Sequence, residues 1–356
     1  MRLPTRNQLP HALVLVALLA LGLGGASARG AGTTTRAAVA TSEDDAAPQW
    51  SPDGKHLAFS SRSSGHWQIY TVTSGGASKH ELTHGSLDSI DLSWAPSGKQ
   101  LGFSRVAGGQ VISVGHVYSV SSTGSGLRRL SSGGGGYDEF FGYSPDGTSL
   151  AFDRISNGIG AIYTMNSSGS DLHRLTPSTG DDDYWGVWSP DGKKIAFDRT
   201  GASAFGDIWT MDADGSHQKR LTSSSADDFG SAWSPDNKRI AFQSNRTGSY
   251  EIYVMPSGGG AQKQLSTSPK GEEAGEPRWS PDGTKIVYQK QVKDHYEIFV
   301  VSASGGAEKQ LTNVAYDNTD PSWSPDGKKI AFVSTRNGGA DVFVMNADGS
   351  SQRKIS

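Results

Sequence analysis

Trp-Ser-Pro-Asp-Gly recurs, with small variations, along most of this chain. It stands complete at Trp50-Ser51-Pro52-Asp53-Gly54 and returns with anchors at Trp94, Tyr143, Trp188, Trp233, Trp279 and Trp323, at steps of 44, 49, 45, 45, 46 and 44 residues. A period of about 40–50 residues marks a propeller or a solenoid, in which each repeat is one small unit that cannot bury its own apolar faces. The repeat therefore constrains the fold far more than the function, because every copy spends its recurring residues on its own structure.

One unit can be read strand by strand. Val187 and Trp188 end a strand, and Ser189-Pro190-Asp191-Gly192 turns the chain. Proline presets φ, and Asp-Gly tolerates the tight part of a hairpin. Lys194-Ile195-Ala196-Phe197 follows as a strand covered on both sides, then Ile208-Trp209-Thr210-Met211, then Lys219-Arg220-Leu221-Thr222 after the turn Asp212-Ala213-Asp214-Gly215. The third strand reappears as Ile69-Tyr70, Val117-Tyr118, Ile162-Tyr163, Ile252-Tyr253, Ile298-Phe299 and Val342-Phe343. Sheets that are apolar on both faces must be sandwiched between neighbours, and radial closure leaves none uncovered. The expected fold is all-β, a seven-bladed β-propeller of four-stranded antiparallel blades over 44–356, in preference to a linear stack. The anchor tryptophans are read as core packed between blades, worth about 3–5 kcal/mol each on truncation to alanine. Either Arg353 to Ser356 or the segment 29–43 can supply the outer strand of the last blade.

Residues 1–28 have the layout of a secretory signal peptide. Arg2 and Arg6 precede an apolar run from Ala12 to Leu23, and Ala26-Ser27-Ala28 supplies the small residues before cleavage. That run is short for the ~20 residues of a spanning helix, so an exported protein without stable membrane insertion, periplasmic or secreted, is expected. Glycine is abundant, at 46 residues, and hydrophobic residues make up only 35%, which suits short strands and tight turns rather than helices. The net charge of −3 argues against a nucleic-acid partner. The chain has no cysteine, which excludes disulfides, thiolate metal sites and a cysteine-linked lipid anchor.

Trp-Ser-Pro-Asp-Gly-Lys-x-Ile-Ala-Phe, followed by Ile-Tyr-x-Met and Leu-Thr, resembles the repeat of the TolB-like β-propeller family, in register over residues 45 to 356. The resemblance implies a periplasmic or cell-envelope propeller that binds protein partners. Related blades form the propeller domains of prolyl-oligopeptidase-type and tricorn peptidases, but this chain has no room for a hydrolase domain beside the repeats.

A search for chemistry finds little. The mature chain has no Gly-x-Ser-x-Gly nucleophile elbow. Gly133 to Gly136 lacks the Lys-Ser/Thr of a phosphate loop. Asp212 to Gly215 and Asn346 to Gly349 read as hairpin turns, since Ser223 stands where a calcium loop starting at Asp212 needs Glu. His173 and His217 recur just before outer strands, where they should face solvent, away from the axis. No metal and no cofactor are expected. The rival reading is a metal-dependent lyase or hydrolase acting on a polysaccharide in the channel, or a propeller gating a separate peptidase.

The better candidate surface is one mouth of the channel. The loops leading into the innermost strands carry Asp45, Asp91, Asp138, Asp183, Asp228, Glu276 and Asp320, and the other loops on that face begin with Arg62, Arg105, Arg154, Arg199, Arg246, Lys290 and Arg336. These charges are expected to pair between neighbouring blades, or to leave a charged funnel. Aromatic residues single out one sector, with Tyr137, Phe140 and Phe141 in the third loop, Tyr184 and Trp185 in the fourth and Phe229 in the fifth. Exposed aromatics beside fixed charges are typical of binding surfaces. The expected function is a non-catalytic binding or scaffolding module of the cell envelope, expected as a monomer. Its protein or peptide partner meets Asp138, Phe140, Phe141, Asp183, Tyr184, Trp185, Asp228 and Phe229.

Overall fold

The computed structural model describes residues 44–107, 114–133, 136–177, 180–201 and 205–356. The expected signal peptide, residues 1–28, and the segment 29–43 lie outside these residues. The described chain is all strand and turn, with no helix long and apolar enough to cross a membrane among the described residues.

Strands succeed one another in fours. The first unit holds β1 (Asp45–Trp50), β2 (His56–Ser61), β3 (Gln68–Thr73) and β4 (His80–Glu81). The second holds β5 (Leu87–Trp94), β6 (Gln100–Ala107), β7 (Gly115–Ser121) and β8 (Arg128–Arg129). The third holds β9 (Tyr137–Tyr143), β10 (Ser149–Ser156), β11 (Ile159–Asn166) and β12 (His173–Arg174). In the fourth are β13 (Asp182–Trp188), β14 (Lys194–Thr200), β15 (Gly206–Asp212) and β16 (Lys219–Arg220). The fifth contains β17 (Asp228–Trp233), β18 (Arg239–Ser244), β19 (Glu251–Pro256) and β20 (Lys263–Gln264). Next come β21 (Ala274–Trp279), β22 (Lys285–Val292), β23 (His295–Ser302) and β24 (Lys309–Gln310), then β25 (Asn318–Trp323), β26 (Lys329–Ser334), β27 (Asp341–Asn346) and β28 (Arg353–Lys354). Each unit is an antiparallel sheet in chain order, and the second and third are joined by one parallel bridge between Gly115 and Tyr137. This is a propeller fold of repeated four-stranded sheets, and the outer strand of the last one comes from the C-terminus.

The recurring residues hold this arrangement for local reasons. In the turn after each complete motif the serine hydroxyl donates to the aspartate, as Ser51 does to Asp53 at 2.7 Å and Ser189 to Asp191 at 2.7 Å. The same aspartate oxygen accepts the amide two residues on. Glycine closes the turn at positive φ, +69° at both Gly54 and Gly192. In Leu-Thr the leucine enters the core, and the threonine or serine hydroxyl accepts the amide of the third strand's isoleucine or valine. Thr83 does this for Ile69, Thr222 for Ile208, and Ser356 for Val342 at the very end of the chain.

Units are latched to one another by the anchors. The indole N–H of Trp94 donates to the Gln49 carbonyl at 3.1 Å, Trp233 to Val187 at 3.1 Å, Trp279 to Ala232 at 2.9 Å and Trp323 to Arg278 at 3.2 Å. Trp50 makes the same bond to Ser322, at 3.1 Å, across the contact of the first and last units. Those two units also share a core in which Trp50, Leu57 and Phe59 pack with Ala331, Val342 and Ile355. A second latch runs from the start of a third strand to an aspartate of the next unit. Gly160 donates to Asp182 at 2.7 Å, Gly206 to Asp227 at 3.1 Å, and Ala340 to Asp44 at 3.1 Å.

Candidate functional site

The innermost strands are not straight. Most carry a β-bulge three residues before the anchor, where Ala47, Asp91, Trp185, Gly230, Glu276 and Asp320 take φ between +51° and +68°. Asp91, Glu276 and Asp320 are therefore strand residues at left-handed kinks rather than loop residues. Asp45, Asp138, Asp183 and Asp228 likewise lie on strands, at or next to their first residue.

In the third, fourth and fifth units the expected charges pair inside the sheet rather than between neighbouring blades. Arg154 reaches Asp138 of its own unit at 2.6 and 3.0 Å, Arg199 reaches Asp183 at 2.5 and 3.0 Å, and Arg246 reaches Asp228 at 2.7 Å. Asp138 and Asp183 sit directly across the first and second strands from their cations, and Asp228 two residues short of Arg246. All three are buried, so they do not face the mouth. Burial raises the Asp183 carboxyl from its ordinary value in spite of Arg199. In the last unit Asn318 takes the aspartate's place and accepts from Arg336 at 3.0 Å. Each guanidinium also lies over the rings of its own strands, as Arg199 does over Trp209 at 4.6 Å.

The expected aromatics divide. Phe140 is buried edge-on to Tyr143, and Tyr184 is buried with its hydroxyl 3.1 Å from that of Thr200. Tyr137 is also buried and donates to Asp91 at 2.6 Å. Phe141 is half-buried against the core that holds Trp188 and Trp209. Trp185 and Phe229 keep part of their surface and form a row with Tyr250, with ring centres 5.9 and 5.0 Å apart. Of the eight expected residues, Phe141, Trp185 and Phe229 keep a face that a partner can touch.

Two groups of residues, the acids Glu139 and Asp153 and an apolar set, were not anticipated. Glu139 is buried, accepts the Trp185 indole N–H at 3.2 Å, and is pushed up to about 8 by burial and then by the charge of Asp91. Asp91 itself is raised to about 6 by burial, and burial also pushes Asp153 upward, with Glu139 and Asp182 adding to the effect. The second group is apolar. Val114, Ile159 and Phe205 are 43%, 42% and 41% exposed, three residues before the isoleucine or valine of the third strand. The same position holds His66, Ser249, His295 and Gly339 in the other units. Gly160, beside Ile159, lies against the Asp183 backbone, and Gly206, beside Phe205, lies against Tyr184 and the Asp228 backbone. The exposed apolar side chains thus border the sector that the aromatic row occupies.

The histidines are dispersed, and six of the eight described stand beside a nearby carboxylate. His66 stands 3.3 Å from Asp88, His116 3.5 Å from Asp138, His217 2.7 Å from Asp212 and His295 3.3 Å from Glu297. His173 and His217 are exposed, as the sequence suggests. Among the described residues no three His, Cys, Asp or Glu side chains gather in a way that could hold a metal ion.

The sequence matches the family of the TolB beta propeller domain over residues 31–183, 186–276 and 268–356. No curated protein matches the chain. Among solved structures, a TolB candidate from Agrobacterium tumefaciens is similar with 24% identity and a TM-score of 0.55, over 76% of this chain and 94% of that one. An oligogalacturonate lyase from Vibrio parahaemolyticus aligns at 13% identity and a TM-score of 0.67, over 87% of this chain and 92% of its own. A puromycin-hydrolyzing peptidase from Mycobacterium tuberculosis aligns at 12% identity and a TM-score of 0.71, over 93% of this chain but only 56% of the peptidase. At such identities the likeness is one of fold.

Proposed function

Because this chain belongs to the TolB β-propeller domain family, we propose that it is a non-catalytic binding module of the cell envelope, closed as a seven-bladed ring, that takes a protein or peptide partner at one mouth. Ring closure is supported by the first and last units meeting through the same indole and aspartate latches that join the others. Export to the periplasm or beyond is supported by the leader of residues 1–28 and by the family.

One observation carries the binding reading. Large apolar side chains occupy the exposed position before the third strand in the second, third and fourth units, where the other units carry His, Ser or Gly. Beside them lie the partly exposed rings of Trp185 and Phe229. Solvent-facing apolar residues clustered in one sector, next to aromatic plates, suit a partner's apolar side chains. The acids, engaged inside their sheets, orient this surface rather than contact the partner. The dispersed histidines favour binding over metal-assisted lyase chemistry.

The test uses Ile159→Ser together with Phe205→Ser, both at exposed positions. Cross-linking in envelope extract should lose a specific partner in this variant, while thermal unfolding stays where it is. An unchanged cross-linked set, or lyase activity on oligogalacturonate that survives these changes, would reject the reading.

A further inference from the structure

The turns that follow the anchors lie on the opposite face, and one groove between units there differs from its counterpart. Between the fifth and sixth units the Arg239 guanidinium lies over the Trp279 indole, 4.6 Å from the ring centre, and donates to the Gly283 carbonyl at 2.9 Å. Pro235 supplies the neighbouring wall, 3.6 Å from where a Cβ on Gly283 would stand. Between the first and second units those walls recur at equivalent positions. Trp94 stands for Trp279, Gly98 for Gly283, and Pro52 for Pro235, 3.7 Å from a Cβ on Gly98. The guanidinium does not recur, because the residue six after the anchor is His56 rather than Arg239. A cavity of about 490 Å³ is left, lined by Trp94, Pro52, Pro96, Gly98, Asp53 and His56 among others.

We infer that this groove binds a guanidinium group, the side chain of an arginine in a peptide partner, which restores there the contact that Arg239 makes within the chain. An indole face attracts cations, and guanidinium is planar and weakly hydrated, so it stacks where an ammonium stays in water. Asp53 borders the groove with its side chain 54% exposed. The Ser51 hydroxyl and the Lys55 amide hold its carboxyl below the ordinary range, so it is anionic at neutral pH. Lys55, its nearest cation at 3.7 Å, has a side chain 76% exposed and competes weakly. The empty groove is also more polar than the filled one. Thr71 and Ser122 line it where Val254 and Ala303 pack with Trp279, and their hydroxyls suit the five N–H donors of a guanidinium. This site shares no residue with the aromatic mouth, so either can fail alone.

The experiment titrates the protein, labelled at its indole nitrogens, with Nα-acetylarginine amide, following the Trp94 indole resonance assigned through Trp94→Phe. A saturable shift is expected, about fivefold weaker with the lysine analogue and lost with the uncharged citrulline analogue. His56→Arg, at an exposed position, places a guanidinium in the groove from within. It should move the Trp94 resonance in the same direction without ligand and remove the response to ligand. A silent Trp94 resonance, an equal response to the citrulline analogue, or undiminished binding by His56→Arg would overturn the inference.

Discussion

Asp183→Ala distinguishes a structural acid from a contact residue. Read from sequence, Asp183 belongs to the partner surface, and its removal together with Trp185 should weaken capture without unfolding the ring. In the structure its carboxylate is 1% exposed and takes both N–H groups of the Arg199 fork, at 2.5 and 3.0 Å. Arg199 is itself only 8% exposed, fixed over Phe197 and Trp209 and donating to Gln218 at 3.1 Å. Alanine would leave that guanidinium buried without its counter-ion, and breaking one side of a buried pair costs about 3–5 kcal/mol. The pair need not be strongly stabilising for this to hold, since burial already raises the Asp183 carboxyl against the pull of Arg199. The chain contains a related case, because Asn318 serves Arg336, two residues further along the second strand, with a neutral amide. Asp183→Asn should therefore cost less, about 1.5–3 kcal/mol, the range of a hydrogen bond to a charged group. Urea midpoints at neutral pH measure both variants. If Asp183→Ala lies within about 1 kcal/mol of wild type, or if asparagine is as damaging as alanine, the buried-pair argument is wrong.

Two further outcomes are expected. Gly102→Ala would place a Cβ 2.5 Å from the Phe140 ring and 3.1 Å from Tyr143, an overpacking cost of about 1–3 kcal/mol. Phe140→Leu in the same chain should recover part of it, and strictly additive losses in the double-mutant cycle would exclude that contact. Glu139, held near 8, keeps a proton in the folded state that the unfolded chain releases from about its ordinary value of 4.5 upward. Its contribution is complete at low pH and is lost as pH rises through that window, at about 1.4 kcal/mol per pH unit for one proton. Glu139→Gln should therefore flatten the decline in thermal stability between pH 5 and 8, leaving only what Asp91 and Asp153 add. An unchanged slope would show that Glu139 is ionised in the fold.

The scaffold was legible because its signals are local. Ser-Pro-Asp-Gly builds its turn from its own side chains, and the runs at Ile195 to Phe197 and Ile208 to Met211 name their strands without help from distant residues. The surface was less legible because it depends on register. Counted by proximity, Asp91 and Asp183 look alike, yet one lies three residues before its anchor at a left-handed bulge and the other five before, across from an arginine. A bulge changes which face a residue meets, and nothing in composition marks it. Val114, Ile159 and Phe205 passed unnoticed for the opposite reason. Each is an ordinary residue, informative only against His66, Ser249, His295 and Gly339 at the same place in other repeats.

The departures of the third unit depend on one another. Tyr143 replaces tryptophan, and its hydroxyl is buried without a partner. The left-handed residue moves to Gly142, beside the anchor, and the Trp188 indole N–H, which in the other units would reach that carbonyl, is also buried without one. With the kink displaced, Phe140 runs extended and fills the space that Gly102 leaves where neighbouring units carry alanine or valine. Asp198, Gln243 and Gln289 each accept the bulge amide of the next unit, from Gly230, Glu276 and Asp320. Asp153 holds the same position, and both of its buried oxygens lack a hydrogen-bond partner. The seam between the third and fourth units has thus lost both the indole latch and the bulge latch, and the Gly160 to Asp182 and Glu139 to Trp185 hydrogen bonds span it. Because Ile159 and Trp185 flank this seam, a partner on the proposed surface would act where the buried Glu139 replaces latches that recur in other units.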